Sequence, residues 1–543
     1  MSNICSNLLS FSLGRRLKPR LSTAPSRPSP TLYIGVSPRR RTSCFRQARF
    51  QPPAHLFAAF LLAFGGQIGA AGQPNTPPPP SATGTLHPAA LRQPIYGFGG
   101  TQTYNGDAIM DFSNREAVYR ALFADLKLDI LRLRNYYDYE GQEAGFEAKT
   151  REYALAARLW SDPQKREGKG PVRLMFTSWS PPAYLKSNGK LSGRSDGTDR
   201  GQENVTLKRN ADGSYAYGAF ADWWLASLHK FKELSGGYPD YIALQNELDI
   251  AVAYEGCEFL PSEGTGKGGF AFAGYDKALT AVSDRVNGAL GAEAPKIVGP
   301  ETFTIRMDAS NKSHVQTFVD PTTESGKAVM ARLFGISFHI YGSGAEAPDP
   351  KEFHRLLDNL RDTYQADGHG KPLFETEFIE GPTLTTLAGE ISDTFTRGGA
   401  SAYLVWILAR SVNQPGYALV YYNPYDGSIE RRERFYAVKH FSAFVGEGYH
   451  RIDADCSDPA IKLSAYIGPN GGPLVAVLIN PTAQERRVTL APEGDAFHNA
   501  TTSVYRSTEG ESGERWRDLK ALGPDHTVTL PPRSIATVKF DRP

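Results

Sequence analysis

The sequence predicts an α/β fold: a (β/α)8 TIM barrel followed by a C-terminal side β-sandwich domain. Three observations predict it. Between Ile95 and Phe444, eight short apolar runs alternate with amphipathic helical patterns. Repeated strand–helix alternation calls for parallel strands, and eight repeats over about 350 residues suit a closed barrel with long loops. After Phe444 the texture changes to short alternating runs separated by turn signals such as GPNGG and NPT, the pattern of antiparallel strands. The rival, an open doubly wound sheet, would usually open a helix with GxGxxG, and the early GFGG lacks that pattern.

In chain order the barrel strands are expected in IYGFGG from Ile95, DILRLR from Asp129, VRLMFTSW from Val172 and YIALQNE from Tyr241. KIVGPE from Lys296, GISFHIY from Gly335, PLFETEF from Pro372 and SAYLVWIL from Ser401 complete the set. The first helix is signed by a capping box, Ser113 with Glu116, followed by Val118, Leu122 and Leu126 at helical spacing. Further helices are expected from about Ser214, Ala273 and Lys351; Trp223 and Trp224 in the first of these read as core. The sandwich strands are IKLSAYIG, LVAVLIN, RRVTLA, TTSVYR, HTVTL and IATVKF, and TLHPAALRQ before the barrel is a candidate to lend one more. The expected divisions are a leader and signal over 1–73, a Pro-rich linker over 74–84, the barrel over 85–444 and an antiparallel sandwich over 445–543.

The leader stands apart by charge. The first acidic residue is Asp107, whereas Arg15, Arg16, Arg39, Arg40, Arg41, Arg46 and Arg49 all precede it. The apolar run Leu56 to Phe64 is too short to cross ~30 Å of hydrocarbon. Followed by Gly69, Ala70 and Ala71, it describes a secretory signal, so a secreted or periplasmic protein with no membrane span is expected. The length of chain ahead of the signal reads as a start later than Met1 or as an organelle transit peptide. Over all 543 residues, 22% are charged and the formal net charge is +2, which argues against nucleic acid or a membrane surface as partner. The four cysteines, Cys5, Cys44, Cys257 and Cys456, lack metal-ligand spacing, and a Cys257–Cys456 bridge stays open. A monomer is expected.

In such a barrel, chemistry collects at the C-terminal ends of the strands. There the runs carry Arg132, Arg134 and Asn135; Asn246, Glu247 and Asp249; His339 and Tyr341; Glu377; and Trp406 and Arg410. A lone strand-end glutamate reads as a salt bridge. Two of them, Glu247 and Glu377, from the fourth and seventh strands on opposite sides of one barrel mouth, are what glycoside hydrolysis requires. Glu375 is expected on the same side as Glu377 and one step deeper, needing either a proton or a partner, with Arg132 or Arg134 the candidates. Glu380 reads as a loop residue.

The runs GFGGTQTYNG, ILRLR, SWSPPAYLKSNG, YIALQNE, IVGPE, HIYG, FETE and YLVW resemble glycoside hydrolase family 30, in look its bacterial xylanase and glucuronoxylanase branch, across the chain after the linker. The resemblance implies a retaining double displacement with Glu247 as acid/base and Glu377 as nucleophile, and no metal or organic cofactor. It further implies that Asn246 bonds the hydroxyl beside the reacting carbon, that Arg132 keeps Glu377 ionised, and that His339 and Tyr341 orient Glu377 or the sugar. Trp179 and Trp406 would wall the sugar, and Arg410 would hold a uronate. Plain structural roles compete for each: an ion pair for Arg132, a satisfied core histidine for His339, core packing for the tryptophans and an interdomain salt bridge for Arg410. The expected substrate is a polysaccharide or oligosaccharide, foremost β-1,4-xylan, with β-1,6-glucan or galactan and β-glucosides behind it. A non-catalytic carbohydrate-binding barrel is the reading from another class. Two departures stand out: Leu248 replaces the proline that usually follows the acid/base, and Glu375 replaces a small or apolar residue.

Overall fold

The computed structural model describes residues 81–543 except 104–106, 197, 199–204, 346, 348, 366–369, 379–380 and 415. The expected leader and signal, the linker up to residue 80, and Glu380 lie outside the described residues.

Eight parallel strands close a barrel in chain order: Gly97–Thr101, Ile130–Asn135, Arg173–Ser178, Tyr241–Ala243, Lys296–Thr302, Gly335–His339, Leu373–Phe378 and Ala400–Trp406. The first strand, GFGGT, is glycine-rich because its neighbours press on it: a Cβ on Gly99 would stand 2.2 Å from the Ile130 carbonyl oxygen. Ile130, Met175, Tyr241, Ala243, Val298, Phe374, Ala402 and Leu404 plug the lumen. The opposite strand faces join the surrounding helices in the main core. Helix Tyr217–Ser235 buries Phe220, Trp223, Trp224, Leu228 and Phe231 there and stops at Gly236 in the left-handed conformation.

The expected capping box at Ser113 does not form. Helix Arg115–Tyr119 starts one residue later, after Asn114, whose amide donates to the Gly427 carbonyl at 3.0 Å instead of capping. Val118 and Leu122 are buried as their spacing requires, the chain continuing over Arg120–Asp125 as a π-helical turn.

The side domain is one nine-stranded sheet. Its two ends meet over a shared core, with Val488, Leu490 and Val528 in the same cluster as Val504, Val538 and Phe540, so the sheet folds on itself as a sandwich. It is mixed rather than purely antiparallel. Ser81–Pro94 pairs antiparallel with His450–Cys456 on one side and parallel with Arg486–Pro492 on the other. Ser81 to Gly84, expected as the end of the linker, therefore belong to this strand: their backbone pairs with Arg487 to Leu490, and a Cβ on Gly84 would stand 2.9 Å from Leu490. The outer face of the sheet carries Val475, Val477, Ile479 and Ile535 into the barrel's own core. Among the described residues no helix is long and apolar enough to cross a membrane.

Candidate active site

Above the lumen plug, the strand ends carry polar side chains. Arg132 shares parity with Ile130 and so points into the barrel, where it is fully buried. Its guanidinium is spent on five partners. Nε donates to Thr177 Oγ1 at 3.2 Å; Nη1 donates to Thr101 Oγ1 at 3.3 Å and Glu377 Oε2 at 2.8 Å; Nη2 donates to Asn246 Oδ1 at 2.7 Å and Glu301 Oε2 at 3.2 Å. It also lies over the Trp179 ring, 4.4 Å from the centroid.

Glu377 and Glu247 face one another. One carboxylate oxygen of each, together with a ring nitrogen of His339, lie within 4.8 Å of one another. The Tyr341 hydroxyl donates to Glu377 Oε1 at 3.1 Å. Glu247 is held differently, by the Tyr254 hydroxyl on Oε2 and His339 Nδ1 at 3.2 Å from Oε1. A cleft of about 390 Å³, lined by Trp179, Glu247, Tyr254, Phe303, Tyr341, Glu377 and Trp406, opens over the pair. That is the size of a small-ligand site. Trp179 and Trp406 stand 6.0 Å apart at 45°, and Phe303 stacks on Tyr341 at 5.2 Å.

Burial governs the electrostatics. It pushes Glu247 up to about 7, with the Tyr254 hydrogen bond working against the rise and Asp249 adding to it. Burial raises Glu377 too, opposed by His339 and Arg132. His339 is lowered by burial, which favours a neutral ring. Glu247, His339 and Glu377 are the described side chains that converge closely enough to offer a cation ligands. The Arg132 guanidinium already sits on Glu377 Oε2, so a second positive charge there meets repulsion.

Several expectations need correction. His339 bonds Glu247, not Glu377, leaving Tyr341 as the hydroxyl on Glu377. Glu375 does not share a side with Glu377. A β-bulge intervenes: Glu375 pairs with Phe338, and Glu377 with the very next residue, His339. The extra residue, Thr376, resets parity, so Phe374 and Glu377 look inward while Glu375 sits beside Tyr403 on the helix side. Arg132 and Arg134 are not its hydrogen-bonded partners; Arg134 pairs with Glu255 at 2.6 Å. Burial raises Glu375 well above the usual carboxylate range, opposed by the backbone N–H groups of Glu377 and Leu404. Of the two options for it, the structure favours the proton. Arg410 lies in a small three-stranded sheet of Ala409–Ser411, Val420–Tyr422 and Ile429–Arg431 and is not among the residues lining the cleft. Cys257 and Cys456 are free thiols.

Sequence reasoning missed Glu301, Tyr254, Phe303 and the Asp249–His314 pair, in which Asp249 also accepts the Phe303 N–H at 2.8 Å. Glu301 carried the same signal that singled out Glu247 and Glu377, a carboxylate at the end of a barrel strand. Tyr254 and Phe303 sit on loops, where no periodicity marks an inward side chain.

No family model matches the chain. Two curated relatives, both described as glucuronoxylanase XynC from Bacillus subtilis, one of them from strain 168, are 25% identical over 266 residues, 46% of this chain. The match covers 54% of each relative, so the chain spans about half the length of the curated relatives it matches. Among solved structures, a glycoside hydrolase family 30 subfamily 8 xylanase, Xyn30A from Clostridium acetobutylicum, superposes with a TM-score of 0.59 at 22% identity, covering 84% of this chain and 99% of that one. A conserved exported protein from Bacteroides fragilis superposes at 0.64 with 18% identity, covering 84% and 100%. The chain thus has the barrel-plus-side-sheet fold of these proteins and resembles glycoside hydrolase family 30, with the look of its xylanase branch.

Proposed function

We propose that this protein is a secreted or periplasmic retaining β-glycoside hydrolase of family 30 that cleaves β-1,4-xylan internally. The observation that carries the reading is the convergence of Glu247 and Glu377 to within 4.8 Å beneath an aromatic cleft. Retaining glycosidases hold their carboxyl groups at about 5–5.5 Å, whereas inverting ones need about 6.5–9.5 Å to admit a water.

Glu247, raised to about 7 by burial, holds a proton at mildly acidic pH and gives it to the glycosidic oxygen as that bond breaks. Glu377, paired with Arg132 and Tyr341, attacks the anomeric carbon and becomes a glycosyl ester. Glu247, now a carboxylate, takes a proton from the water that attacks the ester, which restores both groups. Because Arg132 occupies Asn246 Oδ1, the amide NH₂ is the end of Asn246 left for the hydroxyl beside the reacting carbon. Trp179 and Trp406 supply the ring faces against which a pyranose stacks.

The test is hydrolysis of glucuronoxylan, arabinoxylan, pustulan and p-nitrophenyl β-glycosides by the mature protein, with product sizes read alongside. Release of xylo-oligosaccharides of mixed length supports the reading. Preference for glucuronoxylan over arabinoxylan, lost in Arg410→Ala, would give Arg410 its uronate. Turnover of pustulan alone would move the substrate to β-1,6-glucan. Binding without turnover on any substrate would leave a carbohydrate-binding protein.

A further inference from the structure

Glu301, near the C-terminal end of the fifth barrel strand, has no part in the double displacement, yet it is completely buried and touches its centre. Oε2 accepts from Arg132 Nη2 at 3.2 Å, and its carbonyl oxygen accepts the Glu247 N–H at 2.9 Å. Both glutamates hold left-handed backbones, with φ of 63° at Glu301 and 49° at Glu247. That conformation is strained for a residue with a side chain and persists where the surroundings enforce it.

We propose that Glu301 is a positioning residue, a standing counter-charge that fixes the Arg132 guanidinium and keeps it paired while Glu377 is neutral. The inference rests on the hydrolase reading for the step it explains. In the resting site one buried cation, Arg132, faces two carboxylates, Glu377 and Glu301. When a Glu377 oxygen bonds the anomeric carbon, the leaving oxygen departs with the Glu247 proton and the charge of Glu377 is used up in the ester. Without Glu301, the fully buried guanidinium would then have no carboxylate in hydrogen-bond contact, the newly ionised Glu247 lying across the cleft and bonded instead to Tyr254 and His339. With Glu301, Arg132 keeps one hydrogen-bonded carboxylate throughout the step. Burial opposes the charge of Arg132, and Glu301 and Glu377 hold it up.

Sharing Arg132 between two carboxylates also weakens its hold on Glu377, so removing the Glu301 charge favours ionised Glu377. The charged and titratable groups around this centre are Arg132 from the second strand and Glu247, Asp249 and Tyr254 from the chain that follows the fourth. His339 faces it from the end of the sixth strand and Tyr341 from just beyond, Glu375 lies near on the seventh, and Tyr275 of helix Tyr275–Leu290 stands behind Glu301.

The experiment is a pH titration of protein carrying ¹³C-carboxyl glutamate, the Glu377 resonance being identified by its loss in Glu377→Gln. Glu301→Gln is expected to lower the Glu377 midpoint by about one pH unit, the acid limb of kcat/KM moving with it. Accumulation of the glycosyl-enzyme in a pre-steady-state burst should fall about tenfold, the factor to which a midpoint shift of one pH unit corresponds. Glu301→Asp keeps the charge but draws it back from Arg132, so the midpoint moves the same way by less; it carries the test if Glu301→Gln does not fold. Midpoints matching the wild type in the variants, even with reduced thermal stability and activity, overturn the proposal and leave Glu301 a structural residue. A shifted midpoint in a protein that turns over no glycoside would remove the hydrolase reading and leave the Arg132 pairing standing.

Discussion

The two sides of the cleft hold the same side chain in unlike surroundings. Glu377 lies against a guanidinium and a phenol, whereas Glu247 lies against a phenol and the His339 ring, whose protonation burial disfavours. Both are pushed up by burial, but only Glu377 has a cation in hydrogen-bond contact. The guanidinium favours an ionised Glu377, while burial pushes Glu247 up to about 7. In the proposed mechanism the same side chain serves as nucleophile on one side and acid on the other through environment alone.

The largest effect expected is from Glu377→Gln, which removes the attacking oxygen; turnover of every substrate should fall by on the order of 10⁴-fold or more in initial-rate assays. Glu247→Gln should be selective. Xylan hydrolysis is expected to fall by roughly 10²–10⁴-fold, while release of an activated phenol, which needs no proton, falls far less in its first burst. Equal loss on both kinds of substrate would mean that the two sides do not differ as described. Tyr254→Phe removes a hydrogen bond that favours the ionised form of Glu247. Its midpoint should rise, carrying the alkaline limb of kcat/KM upward by about half a pH unit, read from a full pH–rate profile. Glu375→Gln should do least. Glu375 is buried on the helix side of the strand, where burial favours its protonated form, so an uncharged isostere should leave kcat within about twofold of wild type.

The contrast between Glu375 and Glu377 also marks what the sequence could convey. The barrel was legible because strand and helix periods alternate eight times, and Glu247 and Glu377 stood out because they fall together on the fourth and seventh runs, where either alone would read as a salt bridge. The bulge at Thr376 was not. Strand parity is a local rule, and one extra residue, visible only in how the strand registers against its neighbours, reverses it. The same limit hid the parallel pairing of Ser81–Pro94, since a partner more than 400 positions away leaves no trace in a short window. Arg132 could be placed on the lumen side from DILRLR, but its sharing among Glu377, Glu301 and Asn246 depends on three other strands meeting it.

In the proposed mechanism Glu377 forms the covalent bond while Glu247 moves the proton. Incubation with a 2-deoxy-2-fluoro-β-xylobioside bearing an activated leaving group, followed by intact-mass and peptide analysis, tests it most directly. One added glycosyl unit per chain is expected, on the peptide containing Glu377, and none in Glu377→Gln. A label on Glu247, or a hydrolysed product of inverted anomeric configuration with no adduct, would contradict it.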